Sequence, residues 1–99
     1  KSFSSNDNVA QSQAYSMLGD AYSESGDMKS AINFYKKAAD NLDNESLTPF
    51  YLLKAGMALE HEKNAKEAKE IYEKLKENYP NSQAGRQVET YIARCEAQL

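Results

Sequence analysis

The sequence predicts an all-α fold: two antiparallel helix hairpins stacked side by side and closed by a single C-terminal capping helix. Three observations carry the prediction. One pattern is used twice, since Gly19 recurs as Gly56, Ala31 as Ala68 and Tyr35 as Tyr72, each 37 positions on, and self-similarity at such a period marks a helical repeat architecture. Apolar residues step by three and four along most of the chain, the spacing of one helical face. Breakers are scarce, with 2 prolines and 4 glycines in 99 residues, while Ala, Glu, Lys and Leu, all good helix formers, are plentiful.

Each element follows in order. Lys1 to Asn6 is polar and Ser-rich, and is expected to be a frayed end or the tail of a preceding repeat. Asp7 or Asn8 is placed to cap the first helix. Its apolar face is Ala10, Ala14, Met17, Leu18, Ala21 and Tyr22. Gly26 ends it, because glycine takes the left-handed backbone of a C-cap at little steric cost. Asp27 caps the second helix, whose stripe is Met28, Ala31, Ile32, Tyr35, Ala38 and Ala39, with Phe34 on the flank. So short a link forces the pair antiparallel. Gly19, Ala31 and Ala38 are expected where the helices meet, with Tyr15, Leu18, Tyr22 and Tyr35 filling the space around them.

Asn41 to Ser46 is a polar break that contains an Asn44-Glu45-Ser46 sequon. Thr48 as N-cap and Pro49 at the first helical position open a third helix, about Pro49 to His61, with Leu52, Ala55, Gly56 and Leu59 inward. Asn64 starts a fourth, with stripe Ala65, Ala68, Ile71, Tyr72 and Leu75. Its outer face offers Glu62/Lys66, Lys66/Glu70 and Glu70/Lys74 as i,i+4 ion pairs. Tyr79-Pro80-Asn81-Ser82 ends that helix and caps a fifth, about Gln83 to Gln98. The fifth helix sets Ala84, Val88, Tyr91, Ile92, Cys95 and Leu99 on one face and Arg86, Glu89, Arg94 and Glu96 on the other, a division that suits the end of a stack.

These residues resemble the tetratricopeptide repeat (TPR) family. The order aromatic, Leu-Gly, Tyr, Ala, aromatic, Ala, Pro appears in the first repeat as Tyr15, Leu18-Gly19, Tyr22, Ala31, Tyr35 and Ala38. In the second it appears as Leu52, Ala55-Gly56, Leu59, Ala68, Tyr72, Leu75 and Pro80. The first repeat has Asp43 in place of the terminal Pro, and three extra residues stretch its linker, which implies an altered angle between the hairpins. The resemblance implies a right-handed superhelix in one domain over residues 1–99: repeat one about 12–45, repeat two about 49–82 and a capping helix about 83–98. The second half, Thr48 to Gly56 with Tyr79-Pro80-Asn81-Ser82 and Tyr91-Ile92-Ala93-Arg94, is also similar to the C-terminal end of membrane-anchored bacterial TPR proteins associated with the Sec translocon and envelope chaperones. That similarity implies a fragment of a longer, anchored parent with its repeats on the periplasmic face; composition alone suits a cytoplasmic chain equally.

The family resemblance further implies a non-catalytic scaffold that binds a segment of another protein in a concave groove. Its groove positions fall on Gln13, Ser16, Asp20 and Ser23 in repeat one and on Phe50, Leu53, Met57 and His61 in repeat two. The fifth helix adds Gln87, Tyr91 and Arg94. The basic clamp that grips C-terminal carboxylates in some relatives is missing, because Ser16, Asp20, Ala84 and Gln87 occupy its places. What remains is a partly apolar groove centred on Phe50, Leu53 and Met57, which either docks a partner segment or packs against the fifth helix or a further repeat. The alternative is a self-associating or spacer module, in which Met17, Phe34 or the first helix meets a second copy to make a homodimer.

Other chemistries find no support. A net charge of −3 argues against nucleic acid, and the Lys63 to Lys76 run is interleaved with glutamates as on a solvated face. No apolar run approaches the ~18 residues of a membrane span. His61-Glu62 begins a His-Glu-x-x-His pattern, but Ala65 holds the second histidine's place, and one His with one Cys makes no zinc site. No glycine-rich phosphate loop occurs, so no cofactor and no enzymatic activity are expected.

Overall fold

A computed structural model describes residues 6–99, so the expectation for the chain's first residues lies outside the described residues. It contains α1 (Asn6–Ser25), α2 (Met28–Asp40), α3 (Leu47–His61), α4 (Ala65–Asn78) and α5 (Gln83–Ala97), with no strand among the described residues. Each helix packs on the next in sequence, and α3 also touches α5. The body measures 40 × 33 × 17 Å, its thin dimension about two helix layers deep.

The turns inside the two hairpins are built alike. After α1, Gly26 adopts φ +92° and the Asp27 N–H closes back on the Tyr22 carbonyl at 2.9 Å. The Asp27 carboxylate then caps α2, accepting from the Ser30 N–H at 3.1 Å and the Ser30 hydroxyl at 2.8 Å. In the second hairpin Lys63, 37 positions after Gly26, takes φ 64°, the Asn64 N–H bonds the Leu59 carbonyl at 2.9 Å, and Asn64 caps α4 by accepting from the Glu67 N–H at 3.2 Å. A lysine therefore carries a backbone that repeat one assigns to glycine.

Inside each hairpin a tyrosine ring lies on a glycine. A Cβ on Gly19 would stand 2.5 Å from the Tyr35 ring, and one on Gly56 would stand 2.4 Å from the Tyr72 ring. Around these seats lies a continuous core that includes Ala31, Ala38, Leu52, Ala55, Leu59, Ala68, Leu75, Val88, Ile92 and Cys95. The stripes expected for α2, α3 and α4 are the buried ones, with Met28 and Ile71 at the edge.

The first helix differs from the expectation. Ala10, Ala14, Met17, Leu18, Ala21 and Tyr22 are all exposed, and α1 instead turns Ser12, Ser16 and Gly19 inward. Small residues allow the close approach that the Tyr35 ring on Gly19 requires, and the Ser12 hydroxyl is not left without partners. Ser12 Oγ donates to the Ala38 carbonyl at 2.9 Å and accepts from Asn41 Nδ2 at 3.1 Å. Neither Asp7 nor Asn8 is a cap, since both lie within α1; Asp7 is an acid in the first turn, where the helix dipole favours it.

The third helix begins at Leu47, earlier than expected, so Thr48 is not its cap. Asn44 Oδ1 accepts from the Ser46 and Leu47 N–H groups at 2.9 and 2.8 Å, while the Thr48 hydroxyl accepts from the Asn44 N–H at 2.9 Å and donates to the Leu42 carbonyl. Pro49 still lies in the first turn, where no intrahelical N–H is needed. The three expected i,i+4 pairs do not form; within α4 the i,i+4 pair is Lys69–Glu73 at 3.8 Å, and the other pairs reach neighbouring elements, in Lys69–Glu96 at 3.3 Å, Lys76–Glu89 and Lys36–Glu67. Ser82 caps α5, accepting from the Gly85 N–H at 2.9 Å. Leu99 lies beyond α5 and is exposed, off the buried line of Val88, Ile92 and Cys95.

Candidate partner-binding groove

Near the N-terminal ends of α3 and α5 an open cleft of about 700 Å³ separates the two helices. Leu47, Phe50 and Leu53 line the α3 side, Gln83, Ala84 and Gln87 the α5 side, and Glu45 and Asn81 lie at the linkers. Phe50 and Leu53 line the cleft from the α3 side, while Gly56, further along the same helix, seats the Tyr72 ring of α4. Phe50 is 48% exposed, and Leu53 is half-buried against the core. Met57, one turn further along α3, is 42% exposed.

The other expected groove residues are placed differently. Gln13 is exposed on the N-terminal half of α1. Ser16 is only 6% exposed and lies on the line that faces α2, so it presents nothing to a partner. Tyr91 is half-buried with its ring 5.5 Å from that of Tyr72 and the Arg94 guanidinium 5.0 Å above it. Asp20 is engaged within the chain. It accepts from the Tyr35 hydroxyl at 2.6 Å and from the Lys54 ammonium at 2.7 and 3.0 Å. Burial pushes the Asp20 carboxyl up, but the bonds from Lys54 and Tyr35 and the charge of Lys54 more than reverse this, leaving it below its ordinary value.

Lys54, absent from the expected set, links these residues. Its ammonium lies 5.3 Å from the Tyr35 ring centroid and 5.0 Å from that of Phe50 while it holds Asp20, so one side chain joins α1, α2 and the cleft wall. A second trio repeats the logic between α3, α4 and α5. The Tyr72 hydroxyl donates to Glu60, and Arg94 grips the same carboxylate with two N–H bonds of 2.7 and 2.8 Å. The Arg94 bonds hold the Glu60 carboxyl below its ordinary range, and burial together with the Glu60 bond raises the Tyr72 phenol. Tyr79 makes a third such bond, donating to Asp43 Oδ1 at 2.6 Å and tying the two linkers together.

Among the described residues no helix is long and apolar enough to cross a membrane, and no group of three or more His, Cys, Asp or Glu is set to hold a metal ion. Cys95 is fully buried and burial raises its thiol, the setting of a packing residue rather than of a nucleophile. Residues 12–41 and residues 51–82 each match a family model described as tetratricopeptide repeat. No curated protein and no solved structure matches the chain.

Proposed function

The chain belongs to the tetratricopeptide repeat family, and from that premise we propose that it is a non-catalytic scaffold whose α3–α5 cleft receives a segment of a partner protein. Repeats of this family generally mediate protein–protein interaction. The observation that carries the reading is the cleft itself, with an exposed Phe50 and a half-buried Leu53 facing the uncharged polar wall of Gln83 and Gln87. Such walls suit an extended segment that seats an apolar side chain against Phe50 and Leu53 and turns its backbone amides toward the two glutamines. The nearby charges Lys54 and Arg94 are already paired with Asp20 and Glu60, so neither is free to recruit an acidic or carboxylate-terminal ligand.

The test is photo-crosslinking in source-cell extract with a reactive group beside Phe50, comparing the natural chain with Leu53→Glu and Met57→Glu chains of equal helicity. Crosslinks from one partner that map to α3 and α5 and vanish in the charged variants support the proposal. Equal capture by all chains, or none, refutes it. From the narrower resemblance of the second half we add that the groove works on the outer side of a cytoplasmic membrane, which fractionation of the source cells tests independently.

A further inference from the structure

The exposed face of α1 is a second apolar surface, separate from the cleft. Met17 is 70% exposed, Leu18 44% and Tyr22 37%. The repeat explains the part of this surface around Leu18 and Tyr22, while Met17 at its edge corresponds to the partly exposed Lys54. Thirty-seven positions on from Ala14, Leu18, Ala21 and Tyr22 stand Tyr51, Ala55, Ala58 and Leu59 of α3, none more than 5% exposed. The α2-facing line of α1 (Ser12, Ser16, Gly19) corresponds to the α4-facing side of α3, where Gly56 seats Tyr72. The burial of Tyr51, Ala55, Ala58 and Leu59 is therefore assigned to α2, with which α3 packs far more extensively than with its third neighbour α5. What a helix covers on α3 is left uncovered on α1 among the described residues.

Pattern and charge specify the occupant. Asp7, Ala10, Ala14, Met17, Ala21 and Glu24 follow one another at steps of 3, 4, 3, 4 and 3 along α1. That seven-residue spacing suits a partner helix crossing at about 20°. The alanines admit its backbone, and Met17 and Leu18 project against it beside Tyr22, whose ring is stacked on that of Phe34 at 5.5 Å. An acidic residue closes each end of the line, and α1 itself carries no lysine or arginine. A second copy laid antiparallel would set Asp7 against Glu24, and one laid parallel would set each acid against itself, so self-pairing opposes like charges in either direction. The helix that covers the equivalent face of α3 has the opposite character, with Lys29, Lys36 and Lys37 against a single Asp40.

We propose that the outer face of α1 docks an amphipathic helix of a partner polypeptide, one with an apolar line at seven-residue spacing and a lysine or arginine toward each end. Asp7 and Glu24 lie roughly 25 Å apart along the helix at its ordinary rise, which sets the separation of the two cations.

The experiment is fluorescence anisotropy with the 99-residue chain and two labelled helical peptides that share one Leu/Ala heptad line, one ending in lysines and the other in glutamates. The lysine peptide is expected to saturate and to bind about tenfold more tightly than the glutamate peptide at low salt, from two exposed ion pairs gained and two like-charge contacts avoided. Met17→Glu, a change at an exposed site that leaves the core alone, should weaken the lysine peptide by at least about tenfold. Asp7→Lys with Glu24→Lys should reverse the order of the two peptides. Phe50→Glu should change nothing here, which separates this site from the cleft. Equal binding of the two peptides, no saturable binding of either, or indifference to Met17→Glu overturns the proposal. A dimer in sedimentation at neutral pH that Met17→Glu dissolves overturns it too, by making a second copy the occupant.

Discussion

Replacing Gly56 by alanine tests the central packing claim. The new Cβ would lie 2.4, 2.8 and 2.9 Å from Cε1, Cζ and Cδ1 of Tyr72, against an ordinary carbon–carbon separation of about 3.5–4.0 Å. Something must therefore move by about 1 Å. The ring is fully buried, its hydroxyl is bonded to Glu60, and Tyr91 leans on it at 5.5 Å, so it has little room to retreat. Overpacking costs about 1–3 kcal/mol, and this contact belongs at the upper end. Alanine's better helix propensity returns about 1 kcal/mol. The net expectation is a loss of about 1–2 kcal/mol, or roughly 5–15 °C in Tm for a domain of this size. Urea unfolding followed by helical circular dichroism reads it directly. Tyr72→Leu in the Gly56→Ala background should cost less than the sum of the two single changes by at least about 1 kcal/mol, because the collision is gone. A Gly56→Ala chain as stable as the original, or a strictly additive pair, would refute the seat as the reason for glycine.

Three further outcomes are expected. Lys63→Gly should raise stability by about 0.5–1 kcal/mol, because φ 64° costs lysine what glycine does not spend, and an unchanged or lower urea midpoint would contradict it. Gly85→Ala should cost more than about 2 kcal/mol, since its Cβ would stand 2.0 Å from the Tyr79 carbonyl oxygen, a backbone atom that cannot swing aside; a midpoint within 0.5 kcal/mol of the original would be incompatible with that geometry. The third concerns alkaline pH. Burial and the bond to Asp43 push the Tyr79 phenol up from 10.0 to about 12. Its folded value is raised, so the contribution is complete below pH 10 and is lost as pH climbs toward 12, on the order of 2 kcal/mol in all. Tyr79→Phe should flatten the fall of stability between pH 10 and 12, and equal slopes in the two chains would exclude this origin.

Most of the fold is legible because helical repeats announce themselves locally. The Gly26 turn, the Asp27, Asn64 and Ser82 caps and the stripes of α2, α3 and α4 each lie within a few residues of the signal that marks them. The face of α1 is not legible in the same way. Periodicity finds an apolar line but cannot say which neighbour covers it, and the line that meets α2 is written in small residues, among which Ser12 borrows carbonyl and amide partners from across the hairpin. The helix start at Leu47 was hidden because Asn44, outside the helix, does the capping that the sequence assigns to Thr48. At the groove, Phe50 and Leu53 follow from the repeat register, whereas Lys54 does not. Its partners Asp20 and Tyr35 lie one hairpin back. The parallel trio of Tyr72, Glu60 and Arg94 uses a different spacing between tyrosine and carboxylate, so no short pattern could reveal either.

The single cysteine gives the molecule a built-in clock. Cys95 has no exposed surface and lies on the line that fastens α5 to the rest of the stack. A thiol reagent reaches its sulfur only while that helix is lifted, so the rate of labelling in native buffer counts lifting events. Compared with the rate in denaturant, it gives the free energy of undocking the last helix apart from that of unfolding the whole. Because α5 is also one wall of the cleft, a ligand that bridges α3 and α5 must slow the clock by the factor with which it holds them together. Occupancy of the groove is thereby readable from an unlabelled, unaltered chain.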